Sequence, residues 1–350
     1  MKKKIIFSFL IVFINLIAFE LIIRIGFIFY GLDLKAYQKN PLRYDSSAFL
    51  GFKGRENWEL NHKNLEEHHN DKGYKSDDFN IKKDSSRTRI IILGGSSVYG
   101  YLLNNNETIS FELQNQLNEY QSGYEIINLG VPGYNTYHSI SQTITVLLDY
   151  KPDMVILYQS WNDIKYFHQL SDSKLIVETI SGSMIYDDKY FMVDKSYLLT
   201  FLRAIINKYY FGLNSREKIS KDLLRPDNEI NFYGLKNYER NLDILSNILN
   251  SQNIKLLISS QLTPYDESAI KLQKPLLSYG NYDYYKKAFN KCRNAQKLIS
   301  NRKKNTYYCN PNTEIKPDIN IMYDHIHLKP NGTKKLASFF KKVIINRLNM

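Results

Sequence analysis

From Arg89 onward the apolar residues fall into short, nearly continuous runs, and between the runs they recur every three or four positions. Ile90-Ile91-Ile92-Leu93 stops at Gly94-Gly95, and Ile126-Ile127-Asn128-Leu129 stops at Gly130. Met154 to Tyr158 and Ile254 to Ile258 have the same form, the last closing on Ser259-Ser260. Apolar runs this short, bounded by glycine or serine, predict strands buried on both faces. The intervening periodicity predicts helices over residues 108–120, 137–150, 235–250, 284–300 and 329–348, with Lys151-Pro152 stopping the second. Thr306-Tyr307-Tyr308 predicts a short fifth strand. Strands alternating with helices at this spacing predict an α/β fold with a central parallel sheet and right-handed crossovers.

The amino end follows another pattern. Three lysines, Lys2 to Lys4, precede an almost wholly apolar stretch from Ile5 to Phe19, then Glu20, three more aliphatic residues and Arg24. A bilayer core needs about 20 helical residues, which Ile5 to Ile23 nearly supplies. Glu20 and Arg24 are four apart, so on a helix they can pair. No small-residue cleavage site follows the apolar core, so residues 1–30 are expected to be an uncleaved signal anchor, a transmembrane helix. The lysines stay on the cytoplasmic side. The expected location is therefore the cell membrane, single-pass, with the remaining chain extracytoplasmic. The alternatives are a cleaved signal peptide and a soluble protein that buries this helix.

Residues 31–85 are polar and irregular, and are read as a connector that adds at most short strands. His62, His68 and His69 lie here without neighbouring cysteines or patterned acids and are expected at the surface. The main domain is placed at 86–350. A weakly periodic, aromatic-rich insertion at about 166–234 is expected to form a lid.

Composition narrows the classes. Hydrophobic residues make up 43% and charged residues 23% of the 350, which excludes general disorder. The net charge is +12, yet past the first residues the lysines form no long run. No zinc-finger, helix-turn-helix or RNA-binding signature accompanies them, so no nucleic-acid partner is expected. The two cysteines, Cys292 and Cys309, have no metal-knuckle spacing. In an exported domain they could form one disulfide.

In an open parallel sheet, ligands gather beyond the carboxyl ends of the strands. Four segments here fall at such ends or at a helix start. Gly94-Gly95-Ser96-Ser97-Val98-Tyr99-Gly100 follows the first strand. The glycines permit a sharp turn that exposes a serine hydroxyl beside backbone N–H groups able to hold an oxyanion. A plain turn is the alternative. A phosphate loop is excluded, because the Lys-Ser/Thr end and the dinucleotide spacing are both missing. Asn128-Leu129-Gly130-Val131-Pro132-Gly133 follows the second strand, where a glycine lets a backbone N–H approach a substrate closely. Ser160-Trp161-Asn162-Asp163 follows the third. There the Asn162 amide could donate to an oxyanion, or Asn and Asp could simply cap a helix. Trp161 suits a pocket wall or the core equally. Asp324-His325-Ile326-His327 precedes the last helix. An Asp three residues before a His can hold its Nδ1–H and leave Nε2 to take a proton. The same segment permits a metal set of two histidines and Asp324, or a structural role.

In this order the four segments resemble the blocks of the SGNH, or GDSL-type, hydrolase family, over roughly residues 89–348. The Gly-Asp-Ser-x-x-x-Gly block matches Gly94 to Gly100 with Ser96 as nucleophile. The family's glycine matches Gly133, its Gly-x-Asn-Asp block matches Ser160 to Asp163, and its Asp-x-x-His block matches Asp324 to His327. Gly95 stands where the family has Asp, as in its membrane-anchored branch, and Ser160 stands where it has Gly. The resemblance implies a flavodoxin-like three-layer α/β/α sandwich and a triad of Ser96, His327 and Asp324. It implies an oxyanion hole from the N–H groups of Ser96 and Gly133 and the Asn162 side chain, with neither cofactor nor metal. His325 is then expected to be dispensable.

The expected activity is a serine esterase acting on short acyl esters, acetyl above all, carried on a cell-envelope carbohydrate. An O-acyltransferase of an envelope polysaccharide would use the same residues with a sugar hydroxyl as acceptor. A non-catalytic anchored module binding glycan or an assembly partner is the alternative from another class, motivated by Ser160. A metal-dependent hydrolase is a fourth reading, testable by chelation.

Overall fold

The structure is a computed structural model, and it describes residues 2–34, 43–164, 167, 195–206, 232–265 and 282–348. Most of the expected lid, residues 166–234, lies outside the described residues. Five parallel strands form the central sheet: β5 (Thr88–Gly94), β6 (Tyr124–Asn128), β7 (Met154–Tyr158), β8 (Lys255–Ser259) and β9 (Thr306–Cys309). Their order is β6-β5-β7-β8-β9. This is the doubly wound, flavodoxin-like order, with its switch point at β5. The register aligns Ile92 with Asn128, Gly94 with Tyr158 and Tyr158 with Ser259, so the carboxyl ends form one edge.

The apolar runs work as a two-residue period with both faces covered. Ile91, Leu93, Val155, Leu157, Leu256 and Ile258 face one helical layer. That layer is α7 (Tyr233–Ser251), which buries Leu242, Leu245 and Leu249, and α8 (Tyr282–Arg302), which buries Phe289, Cys292 and Ile299. Ile90, Ile92, Met154, Ile156 and Leu257 face the other. There α3 (Ile109–Tyr120) presents Leu113 and Leu117, and α9 (Pro330–Leu348) presents Leu336, Phe340 and Ile344. The result is a three-layer α/β/α sandwich. Burying each large aliphatic or aromatic side chain contributes about 1.5–3 kcal/mol.

The helix expected over 137–150 is broken into three kinds of turn. It is α-helical as α4 (Thr136–Gln142), π-helical over Thr143–Leu147 and 3₁₀ over Leu148–Tyr150. Thr143 and Thr145 donate their hydroxyls to the carbonyls of Ser139 and Ser141, at 2.7 and 2.6 Å, which competes with a regular ladder. Two very short helices follow strands: α2 (Ser96–Tyr99) after β5, and α5 (Trp161–Ile164) after β7.

The block read as a connector is folded into the domain. It forms two antiparallel hairpins, β1 (Tyr44–Ser47) with β2 (Gly51–Gly54) and β3 (Glu59–His62) with β4 (Leu65–His68). Phe52, Tyr44 and Leu50 pack on Val131 and Tyr134 of the main domain. Lys75 is buried and donates to Glu67 at 2.9 Å and to the carbonyls of Gly100 and Leu103. His69 corrects its expected surface position. It is buried, with ring nitrogens 2.9 Å from the Arg55 carbonyl and 3.0 Å from the Tyr99 hydroxyl, because Trp58 and Tyr99 close over it. The two cysteines form no disulfide: Cys292 and Cys309 are buried in separate hydrophobic clusters, on opposite faces of the sheet.

At the amino end, α1 (Lys2–Phe29) is one 28-residue helix, long and apolar enough to cross a bilayer. Its residues from Lys3 to Phe19 are exposed, so it is not a buried core helix. Glu20 and Arg24 pair at 2.9 Å. The segment after α1 rests on the β3–β4 hairpin, with Lys63 N–H donating to the Gly31 carbonyl at 2.9 Å.

Candidate active site

Ser96 opens α2, directly after the carboxyl end of β5. Asn128, the buried last residue of β6, fixes this turn by donating its side-chain amide to the Val98 carbonyl at 2.9 Å. Gly100 ends α2 in the left-handed region, at φ 79. Ser97 is turned inward and donates its hydroxyl to the Ile326 carbonyl at 3.0 Å. The two adjacent serines therefore differ in kind: Ser96 faces the carboxyl edge, while Ser97 ties α2 to the distant turn before α9.

That turn is a tight local structure. A bridge between Met322 and Leu328 closes it, and Tyr323 N–H donates to the His327 carbonyl at 2.8 Å. Within it, Asp324 Oδ1 accepts the N–H groups of Ile326 and His327, both at 2.9 Å. Its other oxygen, Oδ2, lies 2.6 Å from His327 Nδ1. Burial pushes the Asp324 carboxyl up. The hydrogen bond and charge of His327, with the Ile326 N–H, outweigh burial and hold it at about 2. An ionised carboxylate can only accept, so the proton of the neutral ring sits on Nδ1. His327 Nε2 is then an acceptor, and Ser96 Oγ lies 2.8 Å from it. Tyr101 packs its ring 5.2 Å from that of His327, at the exposed rim.

The other two segments meet beside Ser96. Asn162, buried in α5, donates its side-chain amide to the Tyr134 carbonyl at 2.7 Å. An amide nitrogen carries two hydrogens, so one remains for a ligand. Gly133 lies one residue earlier with φ 89, a conformation that disfavours any side chain. Among the described residues, neither the Ser96 nor the Gly133 backbone N–H donates to another protein group. Gly95 has an unbranched reason to be glycine: a Cβ there would stand 2.4 Å from Asn162 Nδ2. Asp163 ties the two loops together. It accepts the Thr136 hydroxyl at 2.5 Å and the Thr136 N–H at 3.2 Å. Full burial raises its carboxyl to about 6, with the Thr136 bonds opposing.

Ser160 does not crowd this space. Its hydroxyl donates to the Gln159 carbonyl at 2.7 Å and accepts from Gln296 at 3.2 Å, in a buried network that includes Tyr238. Trp161 is core: its indole packs on Tyr285, Phe289 and His325. His325 is buried, with its ring centroid 4.1 Å from that indole. Its place is structural, so its removal leaves a cavity against Trp161. Among the described residues, no three His, Cys, Asp or Glu side chains are grouped for a metal ion.

Thus Ser96, His327 and Asp324 form one hydrogen-bonded chain, and Asn162, bonded to the Tyr134 carbonyl next to Gly133, stands against Gly95, the residue before Ser96. Sequence reasoning missed the second tier. Gln261, just past β8, accepts the Trp161 N–H at 2.7 Å and so fixes the start of α5. The Tyr134 hydroxyl donates to the Phe52 carbonyl, anchoring the Gly133 loop on the hairpin block. Residue type gave no signal for either. A polar residue one or two positions past each apolar run was the sole hint.

The sequence matches no family model and no curated protein. Among solved structures it is similar to a lipase/acylhydrolase from Enterococcus faecalis, with 12% identity over 74% of this chain and 96% of that one, at a TM-score of 0.44. It is similar to an acetylxylan esterase from Geobacillus stearothermophilus, with 13% identity, 75% and 96% coverage and a TM-score of 0.44. An esterase from Pseudoalteromonas gives 15%, 75%, 100% and 0.41. These superpositions are loose, and the functional reading rests on the chain's own geometry.

Proposed function

We propose that this chain is a serine esterase of the SGNH type, held at a membrane by α1, that removes short acyl groups, acetyl above all, from a cell-envelope carbohydrate. The observation that carries the reading is the unbroken chain from Asp324 through His327 to Ser96, with contacts of 2.6 and 2.8 Å. His327 Nε2 takes the Ser96 proton as Oγ attacks the ester carbonyl. The negative charge that develops on the carbonyl oxygen is met by the N–H groups of Ser96 and Gly133 and the free Asn162 amide hydrogen. Asp324, ionised at any pH above about 2, keeps the proton on Nδ1 and stabilises the imidazolium. The imidazolium protonates the departing alcohol. Water, activated by the same ring, then releases the acid and restores Ser96.

Two further features support an active site over a binding module. The Ser160 hydroxyl points into the buried network, and Gly95 leaves room for Asn162. An acyltransferase would use the same first half-reaction and replace water with a sugar hydroxyl. The test is fluorophosphonate labelling of the full chain in detergent, compared with Ser96→Ala and Ser97→Ala. Labelling lost in Ser96→Ala alone is expected. A folded protein that takes no label, or one that loses label only in Ser97→Ala, would sink the reading. Acetate release from acetylated glycan, with and without an unacetylated acceptor, then separates hydrolysis from transfer.

A further inference from the structure

A second apolar helix is fastened to the outer part of α1. It is α6 (Tyr197–Ile206), the sequence Tyr-Leu-Leu-Thr-Phe-Leu-Arg-Ala-Ile-Ile. Its first turn is capped by a carboxylate from α1. Glu20 Oε2 accepts the Ser196 hydroxyl at 2.8 Å and the Leu198 N–H at 2.9 Å, and Oε1 accepts the Tyr197 N–H at 3.0 Å. Arg24 completes the cluster. It donates to Glu20 Oε1 at 2.9 Å and stacks its guanidinium 4.7 Å from the centre of the Tyr197 ring. Phe27 meets the same ring edge-on at 5.2 Å. Unfilled N–H groups at a helix start favour a negative charge, so Glu20 and the start of α6 satisfy each other.

The covered part of α1 is Glu20, Ile23, Gly26 and Phe27, while the stretch from Lys3 to Phe19 is bare. On α6 the inward side includes Thr200, which is buried. The outward side is Leu199, Leu202, Ile205 and Ile206, with relative exposures of 45%, 44%, 37% and 51%. Those positions fall on one helical stripe, bordered by the partly buried Arg203. The start of α6 meets α1 at Glu20, the residue that follows the bare apolar stretch. A contiguous exposed apolar surface of this kind marks an interaction site.

Length sets the depth. With Lys2 to Lys4 at the inner headgroups, Glu20 lies 16 residues beyond Lys4, about 24 Å along the helix. The hydrocarbon core is about 30 Å thick. Glu20 and Arg24 therefore fall within the outer leaflet near its boundary, where a lone carboxylate is costly unless paired. The start of α6 supplies that pairing. At ten residues, α6 is about 15 Å long, too short to cross.

We propose that α6 is a second membrane-seated element, embedded by Leu199, Leu202, Ile205 and Ile206 in the outer leaflet beside α1 and locked there by Glu20. Its occupant is the acyl-chain region of a bilayer. The inference rests on the reading that α1 spans the membrane, and it is independent of the serine chemistry. With α6 seated, the chain has two apolar elements in the bilayer, α1 and α6.

The test uses the full chain in phosphatidylcholine–phosphatidylglycerol vesicles, with an environment-sensitive fluorophore on single introduced cysteines. The native Cys292 and Cys309 are buried. Ile14→Cys reports α1, Leu202→Cys and Ile206→Cys report α6, and Lys335→Cys on α9 is the aqueous control. Lipids carry a spin-label quencher near the headgroup or near the chain end. The expected result is quenching at Leu202 and Ile206 that is stronger with the shallow label, quenching at Ile14 that is stronger with the deep one, and none at Lys335. Glu20→Ala should lower the Leu202 quenching toward the Lys335 level and leave Ile14 unchanged. Quenching at Ile14 with none at Leu202 or Ile206 overturns the seating of α6 and leaves the span intact. Absence of quenching at Ile14 overturns the span reading itself, and the seating with it. Disulfide crosslinking of unlabelled Leu202→Cys between copies, with no lipid quenching, would show that a second copy covers the stripe and would also overturn the proposal.

Discussion

The loops at the carboxyl edge of the sheet and the hairpin block at 43–84 meet at Tyr134, and they achieve order by opposite means. At the edge, each reactive side chain is positioned by a neighbour in its own loop or the next one. Asp324 holds His327 three residues away, and Asn162 reaches the carbonyl beside Gly133. The hairpin block has no reactive residue. It contributes buried polar groups that reach far along the chain: Lys75 to Gly100 and Leu103, His69 to Tyr99, and the Phe52 carbonyl to Tyr134. Chemistry is therefore concentrated in short motifs, while the stiffness that keeps the motifs in place comes from a segment whose sequence names no function. Preorganisation of this kind is what makes charge stabilisation effective during a reaction.

Variants can break this division of labour, and the largest effects are expected at the edge. Ser96→Ala and His327→Ala should each lower kcat on a chromogenic acetate ester by about 10⁶-fold, and Asp324→Asn by about 10⁴-fold, since the acid acts through the ring. If His325→Ala were as damaging to kcat in folded protein as His327→Ala, the assignment of the base would be wrong. Next come Asn162→Ala and Gly95→Ala, each expected to cost about 10²–10³ in kcat with little change in KM. Gly95→Ala acts by pushing the Asn162 amide out of place, given the 2.4 Å approach of a Cβ. A Gly95→Ala enzyme with full activity would remove Asn162 from the oxyanion site.

In the hairpin block the same measurements should divide differently. Lys75→Met leaves Glu67 buried with a poorer set of partners, and should cost about 3–5 kcal/mol of stability by denaturant unfolding. The surviving folded enzyme should keep kcat within about one order of magnitude, a loss well short of that expected of a group meeting the oxyanion. Tyr134→Phe removes the donor to Phe52 and should cost about 1 kcal/mol, read as a lowered Tm. The smallest effect is the pH response of Asp324. Its folded value of about 2 lies below the ordinary 3.8. Its contribution is thus present above about pH 4 and is lost as pH falls toward 2. Acid unfolding of Asp324→Asn should be flatter than wild type in that window. Identical curves would mean that the carboxylate gains nothing from its partners.

Much of the sheet was legible because apolar runs answer to a purely local requirement, burial on both faces. Met154–Tyr158 is the strand that its five-residue run predicts, and the other four strands differ from theirs by no more than two residues at an end. The hairpin block was illegible for the converse reason. His69, Lys75 and Glu67 are polar, and nothing near them in sequence says that they are buried. Their burial follows from Tyr99, Gly100 and Leu103 closing over them. The pair Cys292 and Cys309 was undecidable from spacing. The fold puts Cys292 on α8 and Cys309 at the end of β9 with its side chain in the core on the other face of the sheet, so they never meet.

The sequence by itself determined the layer architecture, the long apolar helix at the amino end and the Asp324–His327 contact, because each depends on periodicity or on a three-residue reach. The family resemblance had already singled out Ser96, but only tertiary structure brings its Oγ to His327, 231 positions away, and decides where the Ser160 hydroxyl points. Tertiary structure also decided that Glu20 caps α6 across 177 positions. A hydrogen bond needs its partners within a few tenths of an ångström, and only the packed sheet and helices bring such distant segments to that precision.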